Sequence, residues 1–247
     1  MPSGPRRDPS FDVRADSDVP KTVIAGFSSF GLAGLTAVDY LADHLDLAAS
    51  GYVRAEGLPT ITPFEEGRPR HATEILTGDD FDAAVLKSEL FVPVWAAERF
   101  GKAVIEWTED AGVEEVTILS GIPIAHGPDD HRTFHVAADD YREARLADAD
   151  VPPMRSGFLD GVEAALVEHG MTTDMRVGVL ITPVHAQGPD ADAALRLLET
   201  VQEVHGMEFD TDPLREFSDR VKQYYAGLSE RLDKEAEADR PDDRMFM

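Results

Sequence analysis

An α/β fold, with a mostly parallel sheet and helices on both faces, is the class the sequence predicts, on three observations. Short apolar runs alternate with stretches of helical period. The runs are apolar throughout rather than at every second residue, as expected of strands buried on both faces. They also end in glycine or proline, at Gly26-Phe27-Ser28-Ser29-Phe30-Gly31, Gly121-Ile122-Pro123 and Thr182-Pro183. With 247 residues, 43% of them hydrophobic, the chain can bury a core of that kind.

The elements follow in order. Met1 to Asp18 is polar and rich in proline and aspartate, which predicts a flexible lead without the apolar stretch of a signal peptide. Thr22 to Phe27 is the first strand. Beyond the glycine loop, Leu35, Val38, Leu41 and Leu45 stand three or four apart and predict a helix. Gly51 is expected to end that helix and Tyr52 to Ala55 to begin a second strand. Thr60 to Phe64 and His71 to Leu76 flank Glu66-Gly67 as a hairpin or loop extension. Phe81 to Leu86 is another strand, and Val94, Ala97, Phe100, Val104 and Thr108 lie near one face of a helix.

Val116 to Gly121 reads as a buried strand. Gly127 to Pro153 is polar with scattered aromatics, and is expected to be an irregular insertion with a short helix around Asp139 to Leu146. A helix from about Gly157 to His169 precedes the strand Val177 to Ile181. Asp190 to His205 is amphipathic, with Ala194, Leu197, Leu198, Val201 and Val204 in phase. These elements make an α/β domain over 19–212. A helix over 213–238 follows, striped by Leu214, Phe217, Val221, Leu228 and Leu232, and then a flexible, proline-broken tail over 239–247.

Composition excludes several functions. Without cysteine there is no disulfide scaffold, thiol nucleophile, iron–sulfur cluster or Cys-ligated zinc. No apolar run reaches the ~20 residues that span a bilayer, so a cytoplasmic protein is expected. The 48 acidic residues against 23 basic ones leave a net charge of -25. Such a surface repels phosphate backbones and anionic lipid, which speaks against nucleic-acid and membrane partners. Only five of the basic residues are lysine (Lys21, Lys87, Lys102, Lys222 and Lys234). Acid-rich, lysine-poor composition resembles a cytoplasmic protein of an extreme halophile, where molar salt shortens the Debye length to about 3 Å. An ordinary acidic protein is the alternative.

Three constellations bear on chemistry. In the first loop, Ser28, Ser29 and Gly31 lie between a strand and a helix, where backbone N–H groups can hold an anion. It is neither a dinucleotide fingerprint nor a Walker A loop, and the glycines equally suit a tight turn and close helix packing. Second, the ends of three presumed strands border a crevice of the kind that holds ligands in open α/β sheets, and His126 and His185 are placed to project there. No Gly-x-Ser-x-Gly elbow accompanies them, so no catalytic residue is assigned. Third, His126, Asp129, Asp130, His131 and His135 cluster within ten residues, but without the His-Glu-x-x-His pattern they read as a solvated loop, and no metal is assigned.

The tail is more specific. Met245, Phe246 and Met247 are apolar residues at the end of a charged stretch, with no local core to receive them. A hydrophobic residue, an aromatic and a free carboxylate suit capture by a partner's groove, while a frayed terminus is the plain alternative.

Taken together, three parts of the chain resemble the proteasome assembly chaperone family in its archaeal form. They are the turn Gly26 to Gly34, Leu119-Ser120-Gly121-Ile122-Pro123, and the helix entry Pro189-Asp190-Ala191-Asp192-Ala193-Ala194. The resemblance covers about residues 19 to 235. It implies a core similar to nucleoside phosphorylases without their catalytic residues, and a non-enzymatic, homo-oligomeric protein needing no cofactor. It also implies docking of a C-terminal hydrophobic-tyrosine-any motif between α-subunits of the 20S proteasome, favouring an open gate without ATP. Met245, Phe246 and Met247 stand at those positions, with Phe246 in place of tyrosine. The missing hydroxyl removes a hydrogen bond worth ~0.5–1.5 kcal/mol and keeps most of the apolar area. The alternative is a nucleoside- or phosphate-binding enzyme of phosphorylase-like fold using Ser28, Ser29, Gly31 and His185.

Overall fold

The computed structural model describes residues 8–16, 18–124, 127, 130–185 and 188–221. Eight strands form one sheet: β1 (Ser10–Ala15), β2 (Thr22–Phe27), β3 (Ala48–Glu56), β6 (Thr73–Gly78), β7 (Phe81–Ser88), β8 (Glu115–Ile122), β9 (Phe134–Ala137) and β10 (Arg176–Pro183). A small hairpin, β4 (Phe64–Glu65) with β5 (Arg68–Pro69), stands apart as a second sheet. The main order is β1-β3-β6-β7-β2-β8-β10-β9. Its central four strands, β7-β2-β8-β10, run parallel, and antiparallel pairs extend it on both sides.

Helices cover both faces, as the uninterrupted apolar strands require. Ile24, Leu119 and Leu180 point to α1 (Ala33–His44) and α5 (Ala191–His205). Val23, Ala25, Ile118 and Val179 point the other way, to α2 (Val94–Asp110) and α4 (Gly161–Gly170). A short helix, α3 (Asp139–Tyr141), continues as a wider turn over Arg142–Leu146 and brings Tyr141 into the first layer, fully buried. The fold is α/β, as expected.

Close approach of α1 to the sheet explains the glycines at its start. A Cβ on Gly34 would stand 1.9 Å from the Leu119 carbonyl oxygen, and one on Gly26 would stand 2.3 Å from that of Gly34. No side chain fits there, so helix–strand contact is backbone against backbone. Packing and a tight turn account for this part of the loop.

Four expectations need correction. The polar lead is not loose throughout, because Ser10–Ala15 forms β1 and pairs with β3. Its apolar residues alternate at Phe11, Val13 and Ala15, and Phe11 meets Phe100 edge-on at 5.1 Å. The α/β unit thus begins before residue 19. Gly51 does not end α1, which stops at His44; Gly51 lies within β3, where a Cβ would stand 2.4 Å from that of Ala15. The insertion 127–153 is not wholly irregular, since it contributes the edge strand β9. Finally, α4 starts at Gly161 rather than near Gly157.

Past α5 the chain is helical over 212–221, held down by Leu214 and Ser218. The rest of the expected 213–238 helix lies outside the described residues, as do Met245, Phe246 and Met247. Among the described residues no helix is long and apolar enough to cross a membrane.

Candidate functional site: the strand-end crevice

The parallel strands deliver their carboxyl ends to one side of the sheet, where a crevice of about 810 Å³ opens. That volume lies in the range typical of small-molecule sites. Four segments supply most of its lining: the β2–α1 loop with Ser28, Ser29 and Gly31; the β7–α2 loop with Leu90 and Phe91; the end of β8 at Ser120 to Pro123; and the lead into α4 from Phe158 to Glu163, with Ile181 of β10 and Gly188 completing it. Phe30, Phe91, Val94 and Phe158 stand exposed around it. The β2–α1 turn needs Gly31 at φ 65° and holds Leu32 at φ 49°, a left-handed conformation that side chains rarely adopt.

The polar groups are few. Ser120 Oγ donates to Glu163 Oε1 at 2.7 Å, across the gap between β8 and α4. Burial pushes the Glu163 carboxyl up to about 7; the serine hydrogen bond opposes this and the nearby Asp160 charge adds to it. Ser29 Oγ is buried without a hydrogen-bond partner. Among the described residues the lining holds two carboxylates, Asp160 and Glu163, and no lysine, arginine or histidine. That combination is a poor match to a phosphate.

The sequence-derived crevice set is therefore brought together in part. Ser28, Ser29 and Gly31 line the space, whereas His185 does not. Its backbone N–H donates to Asp190 Oδ2 at 2.9 Å, its Nδ1 lies 3.0 Å from the same oxygen, and its ring meets His131 edge-on. Asp190 also accepts from Ala193 N, capping α5. Sequence reasoning missed Asp160 and Glu163, whose only trace was a pair of acids three apart at the start of a helix. Among the described residues no group of three His, Asp or Glu side chains gathers as a metal site. His126 and Asp129 lie outside the described residues, and His135 Nδ1 is committed to the Val151 carbonyl at 2.8 Å.

A second buried carboxylate lies at the opposite, amino end of the strands. Glu115 is wholly buried, and Arg145 Nε reaches its two oxygens at 2.9 and 3.0 Å. Arg176 Nε donates to Oε2 at 3.1 Å, and His205 Nδ1 lies 3.6 Å from Oε1. Thr117 Oγ1 joins Tyr141 OH at 2.7 Å and His205 Nε2 at 2.9 Å. Here the charge is neutralised within the fold.

A profile of the PAC2 family matches residues 23–229. The chain belongs to the PAC2 family. None of the curated proteins matches its sequence. Solved structures do. Pyrococcus furiosus PbaA, described as an archaeal homolog of proteasome-assembly chaperone, superposes with a TM-score of 0.81 at 19% identity, covering 93% of this chain and 95% of that one. Pyrococcus furiosus PbaB, described as an archaeal proteasome activator, gives 0.74 at 17% identity, over 90% and 99%. A PAC2 family protein from Streptomyces avermitilis gives 0.61 at 16%, over 88% and 98%. At these identities the likeness establishes that the PAC2 chain shares their fold.

Proposed function

We propose that this PAC2 chain is a non-enzymatic, cytoplasmic proteasome-binding protein of the assembly-chaperone type. It docks Met245, Phe246 and Met247 into α-ring pockets of the 20S particle and promotes gate opening or assembly without ATP. The observation that carries the reading is the PAC2 match over residues 23–229, joined to the fold shared with PbaA and PbaB.

One three-residue tail binds weakly. Several tails on one homo-oligomer raise avidity through effective concentration, and gate opening requires them to bind the open ring better than the closed one. Lysine-poor acidity supports a halophilic, archaeal setting, so the assay belongs in molar salt. The experiment deletes Met245 to Met247 and follows co-sedimentation with 20S particles. Binding should fall to background; unchanged binding would overturn the proposal.

A further inference from the structure

We propose that the strand-end crevice is a binding site for a small organic cation, an ammonium or amidinium group carried on an apolar or aromatic body. Its walls supply the two halves of such recognition. Phe30, Phe91 and Phe158 offer ring faces and edges to the body, and aromatic faces attract cations through their quadrupoles. Asp160, the residue just before α4, and Glu163, in its first turn, both line the crevice and offer carboxylates to the cation.

Glu163 is the less satisfied of the two: Asp160 stands exposed to water, whereas Glu163 is half-buried with the Ser120 hydroxyl as its hydrogen-bond partner. A carboxyl drawn into an apolar crevice without a cation is costly, and the fold accepts that cost here. The unpartnered Ser29 hydroxyl supplies a further acceptor for an N–H group. Among the described residues of the lining an anionic ligand finds no cationic side chain, and a purely apolar one leaves Glu163 with the Ser120 hydroxyl alone.

Benzamidine is the probe, with benzamide as its neutral isostere and benzoate as its anionic counterpart. Thermal unfolding of the full chain is followed in molar sodium chloride, which screens exposed charges beyond about 3 Å and leaves a contact inside the crevice largely intact. Benzamidine should raise the melting temperature saturably. Benzamide should bind about tenfold more weakly or less, the size of one charge-assisted hydrogen bond, and benzoate should have no effect. Glu163→Gln should reduce benzamidine to the level of benzamide, while Glu143→Gln, on the exposed surface, should change nothing. Asp160→Asn should cause a smaller loss, and decides the matter if Glu163→Gln fails to fold. Equal binding of benzamidine and benzamide, absence of saturation, retained preference in the folded crevice variants, or an equal loss in Glu143→Gln would each overturn the proposal. Deleting Met245 to Met247 should leave benzamidine binding unchanged, which separates this site from the tail.

Discussion

The two ends of the central strands treat a buried carboxyl in opposite ways. Glu115 at the amino end is wholly enclosed, yet two guanidinium groups touch it directly. Glu163 at the carboxyl end is half-buried and meets one hydroxyl. Taking a charge out of water is offset only by contacts that reach it with good geometry. Glu115 has such contacts, so its network joins β8, β10, α5 and the turn after α3 into one unit. Glu163 lacks them, so burial raises it to about 7 and the carboxyl holds its proton where an exposed glutamate would be charged. Depth of burial alone would have ranked the two the other way round.

Breaking the amino-end network should have the largest effect. Glu115→Ala leaves Arg145 and Arg176 without their shared acceptor, at a cost of about 3–5 kcal/mol. For a chain of this length that lowers the melting temperature by roughly 10 °C in thermal unfolding. A loss below about 1 kcal/mol would erase the contrast between the ends.

Acid sharpens the same comparison. Burial holds the His205 imidazole down to about 4 from its usual 6.5; Glu115 pulls it back up, while Arg145 adds to the lowering. The unfolded chain therefore takes up a proton below 6.5 that the folded chain refuses, and stability falls as pH drops from about 6.5 towards about 4. The full effect is on the order of 3 kcal/mol. His205→Gln lacks this component, so chemical denaturation should show the wild type losing stability relative to the variant across that window. A constant difference between them would contradict the assignment.

The smallest effect has the opposite sign. Glu163 titrates at about 7 in the fold against 4.5 in the unfolded chain. The folded state keeps its proton over that window, so the stability it contributes is present below 4.5 and lost as pH rises through 7. Glu163→Gln should therefore raise the melting temperature at pH 8 and leave it nearly unchanged at pH 4.5. Because the carboxyl is partly solvated, the gain is about 1 kcal/mol. An equal gain at both pH values would trace it to packing instead of charge.

Much of this architecture was legible beforehand. The strand Phe81 to Leu86, the helix stripe from Val94 to Thr108 and the amphipathic helix ending at His205 all fall where the residues place them, because each depends on neighbours within one or two turns. Ser28, Ser29 and Gly31 were legible as crevice residues because a loop after a central strand must open at that edge. β1 was hidden in a polar stretch, since an edge strand needs only one apolar side, here Phe11, Val13 and Ala15. His185 was misjudged because its proximity to Asp190, five residues on, turned it into a partner of the α5 cap.

By itself the sequence determined the α/β class, the succession of elements and the acidic surface, all of which follow from local apolar period and composition. Tertiary structure alone decided that β2 lies between β7 and β8, and that Ser120 and Glu163, 43 residues apart, meet at 2.7 Å while Glu115 meets two arginines. Periodicity is written within a single turn or strand. Which distant charges end up paired depends on how whole layers pack, and no short stretch of chain encodes that.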